Sequence, residues 1–308
     1  MLRSFLLNWI SAQYSKEVKD RIYGAAADAF RDAVSAEEPD TAGGVAPADI
    51  GLLFARSAEY GCLTDRLENL QVTKGNGLKF TQGTYKRLRL AIVETGGEPA
   101  RVREGVFALL QVFQPRRVIA AGFAAALVPE VKRGELFLPL ELYSETGEEA
   151  NLAQAQKESS ETCAEDTGLP LKTAPIVTVS ALPGDPAGRR LLHEKTGARL
   201  ADTLVWHAAA ACREARLPFL ALKVAAVELN DRHPADLRRV AESGSGSPAR
   251  KLGAFFGALT NRPSSLLDVY KVKERELEAA DRLADALAGL LTESSKRDSA
   301  PLNGEDSV

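Results

Sequence analysis

The segment "LALKVAAVELNDRHPAD", residues 220–236, runs from an apolar stretch straight into a cluster of acids. Leu220 to Val227 is interrupted only by Lys223, and reads as a strand buried on both faces. Glu228, Asp231 and Asp236 then crowd its exit, with His233 between them. In an open parallel α/β sheet, ligands bind beyond the carboxyl ends of the strands, at such an exit. Two readings stand at this point: the acids are catalytic machinery, or they are a polar turn leaving the core.

Outward from that strand, short apolar runs alternate with amphipathic stretches. "DIGLLFA" from Asp49 is a short buried strand, and "LKFTQGTYKRLRLAIVETGG" from Leu78 predicts a hairpin whose second strand is Leu88 to Glu94. "ARVREGVFALLQVFQP" places Val102, Val106, Leu109, Leu110 and Phe113 at helical spacing, closed by Pro115. "RVIAAGFAAALVPEVKRGELFLP" predicts a strand, a turn of small residues, and another strand after Gly134. Pro175–Ser180 is a strand and "PAGRRLLHEKTG" a short helix. "ADTLVWHAAAACREARLP" is a second helix, stopped by Pro218. "VKERELEAADRLADALAGLLT" predicts a terminal helix with Leu277, Ala280, Leu283, Leu287 and Leu290 inward. Such alternation predicts a three-layer α/β/α fold around a central mixed sheet.

The chain has 308 residues, 45% hydrophobic and 26% charged, an ordinary balance for a sizeable core. Its segments divide into an N-terminal helix and linker (1–48), a main domain (49–292) and a disordered tail (293–308). A net charge of −3 and a pI near 5.8 point away from a nucleic-acid partner. Cys62, Cys163 and Cys212 lie far apart without a CxxC pair, as buried thiols in a reducing compartment would. The three histidines are equally scattered, so neither a metal centre nor a cofactor is expected.

At the N-terminus Leu2, Phe5, Leu6, Trp9 and Ile10 recur at helical spacing, but Asn8, Ser11 and Gln13 break the apolar core a secretory signal needs. The helix packs on the body or another subunit, or lies on a membrane surface; the polar face is not strongly basic, which favours packing. The expected location is cytoplasmic.

Several stretches, in order, resemble the nucleoside phosphorylase and nucleosidase superfamily, and in motif order its methylthioadenosine/S-adenosylhomocysteine nucleosidases. "DIGLLFARSAEYGCL" is similar to that family's first strand and its glutamate-bearing loop. "LAIVETGGEPARVREGVFALLQVFQPRRVIAAGFAAAL" is similar to its strand, Thr/Ser-Gly loop, helix and "TGxAGG" strand. "VPEVKRGELFLP" resembles "xxGDxxV", and "GARLADTLVWHAAAACREARLPFLALKV" stands where the family has an acid-Met-Glu helix start and "GVPFxxxRxISD".

The resemblance implies cleavage of a nucleoside's N-glycosidic bond, in a homo-oligomer whose neighbouring chain closes the pocket. It makes Glu59 the residue that positions water, and Glu228 or Asp231 the proton source. Thr95 and Gly96 match the Gly-loop, although a simple strand–helix turn explains them equally. Gly122, Phe123 and Ala124 match the wall beside the base. Asp202 matches the first acid of the helix-start motif, whereas Thr203 replaces its methionine and Leu204 its ribose-binding glutamate. Trp206 is either a hydrophobic substitute for the lost contact or core packing. Lys223 falls on the family's arginine and Val227 on its catalytic aspartate, with Glu228 one residue late. A one-residue offset turns a strand side chain to the other face unless a bulge intervenes. His233 is an alternative donor. Arg56 is the one early cation placed to meet phosphate, which favours hydrolysis over phosphorolysis. The expected partner is therefore a small nucleoside, and the alternative is a catalytically silent relative that binds one or serves in assembly.

Overall fold

The computed structural model describes residues 47–75, 77–151, 170–231 and 264–299. The predicted N-terminal helix, His233, Asp236, Cys163 and most of the C-terminal tail lie outside them. No helix among the described residues is long and apolar enough to cross a membrane.

The architecture is a three-layer α/β/α fold with a central mixed sheet. Its middle is four strands in parallel: β4 (Leu88–Glu94), β1 (Ile50–Phe54), β5 (Arg117–Ala126) and β12 (Phe219–Val227). An antiparallel flap, β2 (Glu68–Gly75) and β3 (Leu78–Tyr85), extends one edge from β4. The other side carries β11 (Leu200–Asp202), β10 (Ile176–Thr178), β7 (Glu141–Ser144) and β8 (Glu149–Asn151), while β6 (Leu136–Phe137) joins β12 to β9 (Leu171–Lys172).

Strand alternation assigns the two cores. On β1, Ile50, Leu52 and Phe54 face one side, with Leu222 and Val224 of β12, and are covered by helix α5 (Ser264–Ser299). Leu53 faces the other side with Val93, under α2 (Pro99–Ala108) and α4 (Val205–Ala215). A one-turn helix α1 (Gly61–Thr64) and a helix α3 (Pro186–Thr196) complete the set. Asp185 caps α3 by accepting from the Gly188 N–H at 2.9 Å.

Four sequence expectations change. The small-residue stretch Ala121–Ala126 is not a turn but the second half of β5, buried throughout. Asp202 ends a strand, and the helix after it starts only at Val205. The edge strand β2 was not foreseen, because its side chains are mostly exposed and show no apolar alternation. Leu277 points outward at 63% exposure, while Ala280, Leu283, Leu287 and Leu290 face the core as expected.

The two classes of leucine on α5 should separate cleanly. Leu287→Ala should cost about 2–5 kcal/mol of unfolding free energy in urea titrations, whereas Leu277→Ala should stay within about 0.5 kcal/mol.

Candidate active site

Strand β5 has β12 along one edge for most of its length, so β1 and β11 must share the other. β1 stops pairing at Ala120 and β11 begins at Ala125. Into this gap comes Glu59, at the end of a single 3-10 turn, Ser57–Glu59. Its Oε1 accepts the Phe123 backbone N–H at 3.2 Å; its Oε2 accepts those of Ala55 at 2.9 Å and Arg56 at 3.1 Å. The carboxylate therefore serves amides that the parted strands leave unpaired.

Glu59 is 5% exposed, and burial pushes its pKa above the usual carboxylate range, against the opposing pull of Lys223, Arg56 and the backbone donors. Gly122 lies directly beneath with φ of +146°; a Cβ there would stand 2.9 Å from Glu59 Oε2. Glycine is required here on both counts.

The second buried charge is on β12. Lys223 Nζ lies 2.8 Å from Asp202 Oδ2, with the two side chains 2% and 1% exposed. Asp202 also accepts the Thr178 hydroxyl at 2.7 Å and the Val205 N–H at 3.0 Å, so the pair is closed by neutral donors as well.

Glu59, Asp202 and Lys223 lie at the bottom of a cavity of about 370 Å³. Gly96–Gly97, Phe123–Ala124, Thr203–Leu204 and Ala226–Val227 form its walls. Arg133, Asp231 and three residues of α5, Val272, Arg275 and Glu276, line its outer part. The volume falls in the range of small-ligand sites.

The acid cluster after β12 divides. A bulge does occur, with a register shift between Ala225 and Val227. It brings Val227 to the wall, but Glu228 is not among the lining residues: its Oε1 accepts the Arg133 N–H at 3.1 Å. Asp231 does line the cavity. Its Oδ2 accepts the Glu228 N–H at 2.7 Å and pairs with Arg133 at 2.6 Å, and its Oδ1 lies 3.7 Å from Arg275. The fully buried Arg189 holds this turn from behind, bonding the carbonyls of Leu229, Pro183 and Asp231.

Of the other expected site residues, Gly96, Phe123, Ala124, Asp202, Thr203 and Leu204 line the cavity. Thr95 does not: its hydroxyl donates to the Gly96 carbonyl at 2.9 Å, and the residue lines a separate polar groove beyond the Gly-loop. Gly122 supports Glu59 from below. Trp206 does not line the cavity and packs against the core cluster that includes Ala124, Val205 and Ala225. Arg133 and the α5 residues were not expected in the site, and Lys223 entered only as the counterpart of the family's arginine. Lys223 had left a signal, a lone cation inside a buried apolar run; the helix residues left none, because tertiary packing alone brings them over the cavity.

The family described as the phosphorylase superfamily matches residues 49–250. Among solved structures the chain is similar to the 5′-methylthioadenosine/S-adenosylhomocysteine nucleosidase of Campylobacter jejuni, at 14% identity and a TM-score of 0.61 over 80% of this chain and 99% of that one. Futalosine hydrolase of Helicobacter pylori gives 13%, 0.60, 79% and 97%. The methylthioadenosine/S-adenosylhomocysteine nucleosidase of Neisseria meningitidis gives 14%, 0.59, 79% and 98%. At these identities the likeness establishes the fold.

Two substitutions probe the geometry. Gly122→Ala should displace Glu59 and cost about 1–3 kcal/mol, read by thermal unfolding. Lys223→Met strands the Asp202 carboxylate and should cost about 3–5 kcal/mol; adding Asp202→Asn should return a large part of that loss.

Proposed function

The chain belongs to the phosphorylase superfamily, and we propose that its cavity hydrolyses the N-glycosidic bond of a purine nucleoside or 5′-modified adenosine. The observation that carries this reading is Glu59: a buried carboxylate at the cavity floor, fixed by three backbone N–H groups, with a raised pKa. A base that must take a proton from water near neutral pH is served by a carboxyl tuned upward in this way.

In the reaction the C1′–N bond breaks as a water oxygen bonds to C1′. The water's proton passes to Glu59, and the leaving base is protonated. Negative charge on the floor stabilises the oxocarbenium-like sugar while the bond is broken. Of the two acids expected as proton source only Asp231 lines the cavity, and it does so as the anionic partner of Arg133 and Arg275, so in this reading the leaving base takes its proton from solvent. Thr203 supplies a hydroxyl on the wall where the sugar would lie, next to Leu204. Arg56 reaches Glu276 at 3.2 Å instead of the floor, which supports water over phosphate as nucleophile.

A second reading rests on Leu204 and Val227. Both line the cavity where the resemblance calls for carboxylates, and leucine gives a ribose diol no acceptor. A protein with these walls binds a nucleoside without cleaving it.

Incubation with methylthioadenosine, S-adenosylhomocysteine and inosine, with and without phosphate, separates the two. Release of free base that is independent of phosphate supports hydrolysis. Calorimetric binding without any base supports the silent relative. Under the hydrolytic reading Glu59→Gln should lower turnover by at least about 100-fold. Activity should rise with pH through an acid limb lying above the usual carboxylate range, since Glu59 must be ionised to act and burial raises its pKa. An acid limb unchanged in Glu59→Gln would assign it to another group.

A further inference from the structure

Three backbone amides hold the Glu59 carboxylate, but they fix the acid in space only if its own backbone is held as well. Glu59 ends a short stretch, Ala55–Glu59, that lies between β1 and α1. The residues on either side of that stretch are both aromatic and both buried. Phe54 closes β1, Tyr60 follows Glu59, and their rings lie 5.2 Å apart, tilted by 42°. The loop that carries the acid is therefore closed at its base by a ring contact inside the core covered by α5.

Tyr60 makes polar bonds as well as packing. Its N–H donates to the Ser57 carbonyl at 3.3 Å, and its carbonyl accepts the Leu63 and Thr64 N–H groups at 3.1 and 3.0 Å. Its hydroxyl donates to Glu94 Oε2 at 2.9 Å. Glu94 ends β4 and stands in register with Phe54, so one side chain joins the acid's loop to the ends of two adjacent strands. Thr81 of β3 hydrogen-bonds the same phenol, and Lys79 Nζ lies 5.4 Å from the ring centroid. Burial and the Glu94 carboxylate hold the phenol well above its usual range, so it stays a donor across neutral pH.

From this we infer that Tyr60 is a positioning residue for Glu59, and that its bond to Glu94 sets where the carboxylate meets the attacking water. The inference rests on the hydrolytic reading of the cavity. Tyr60 does not line the cavity; it acts from behind, through the backbone of the residue before it. Glu94 belongs to the polar groove on the far side of the Gly-loop, so the anchor lies outside the site it steadies. A loop released from Glu94 lets Glu59 drift from the Phe123 amide and lets water reach the carboxylate. Displacement of a reacting group by about 1 Å costs on the order of 100-fold in rate.

The test is Tyr60→Phe in the full chain, which keeps the ring on Phe54 and deletes only the hydroxyl. For base release from methylthioadenosine, kcat should fall at least about tenfold while KM stays within about twofold. Glu59 should also titrate at a lower pH than in the wild type, because entering water relieves the burial that raises its pKa. Infrared difference spectra against Glu59→Gln read that titration without any turnover. Lys223 and Arg56, the cations facing Glu59, and Asp202, the partner of Lys223, are left in place by the variant. Glu94→Ala should reproduce both effects, and Glu94→Gln, whose amide oxygen still accepts from the phenol, should restore most of the loss. Lower kcat together with a lower Glu59 titration supports the positioning role. Either effect without the other overturns it, and so does a loss of thermal stability with neither, which leaves Tyr60 as packing alone. A wild type that releases no base overturns the hydrolytic reading instead; the titration then decides alone, a shift supporting the anchor and its absence overturning it.

Discussion

Three backbone N–H groups converge on one carboxylate, and the site is arranged around that convergence. Where β1 leaves β5 and before β11 arrives, the amide of Phe123 has no strand to pair with. Glu59 supplies the missing acceptor and ties the same point to Ala55 and Arg56 beyond the end of β1. An unpaired buried amide costs free energy comparable to a lost hydrogen bond. The split in the sheet, the buried acid and the glycine beneath it therefore stand or fall together. A cavity at the carboxyl ends of parallel strands follows from this split as much as from the fold's layers.

The buried ion pair that shares the cavity floor with Glu59 serves a different purpose. Lys223 and Asp202 add little net stability over apolar residues of the same size, because desolvating two charges offsets their attraction. Their value is positional. The pair joins β12 to the end of β11, and Thr178 and the first turn of α4 close the remaining valences of Asp202. Lys223 also draws Glu59 toward ionisation against the pull of burial, so the ion pair bears on the proton equilibrium of that acid.

How much of this was legible in the sequence depends on the kind of signal. The apolar runs of β1, β4 and β12 and the heptad-like face of α5 were legible, since burial on one or two faces writes itself into composition. The second half of β5 was not, because alanine and glycine carry almost no strand preference and its neighbours alone hold it extended. Glu59 was legible only through family resemblance; nothing in "RSAEYG" announces a buried acid. The offset between Val227 and Glu228 turned on whether a bulge intervenes; a bulge exists, yet Glu228 stays outside the cavity. Register fixes where a side chain starts, while the Arg133 amide decides where Glu228 ends.

The contact between Gly97 and Thr203 bears on how the molecule breathes. A methyl group on Gly97 would meet Thr203 at 2.6 Å, so the loop after β4 rests directly against the segment leading into α4. Opposite, α5 packs its apolar face on the core, while its outer residues Arg275 and Glu276 reach Asp231 and Arg56 through partly exposed ion pairs of the kind that salt weakens. One flank is fixed by steric contact and the other by screened charge. Raised ionic strength therefore loosens the outer contacts of α5 before it touches the Gly97 flank.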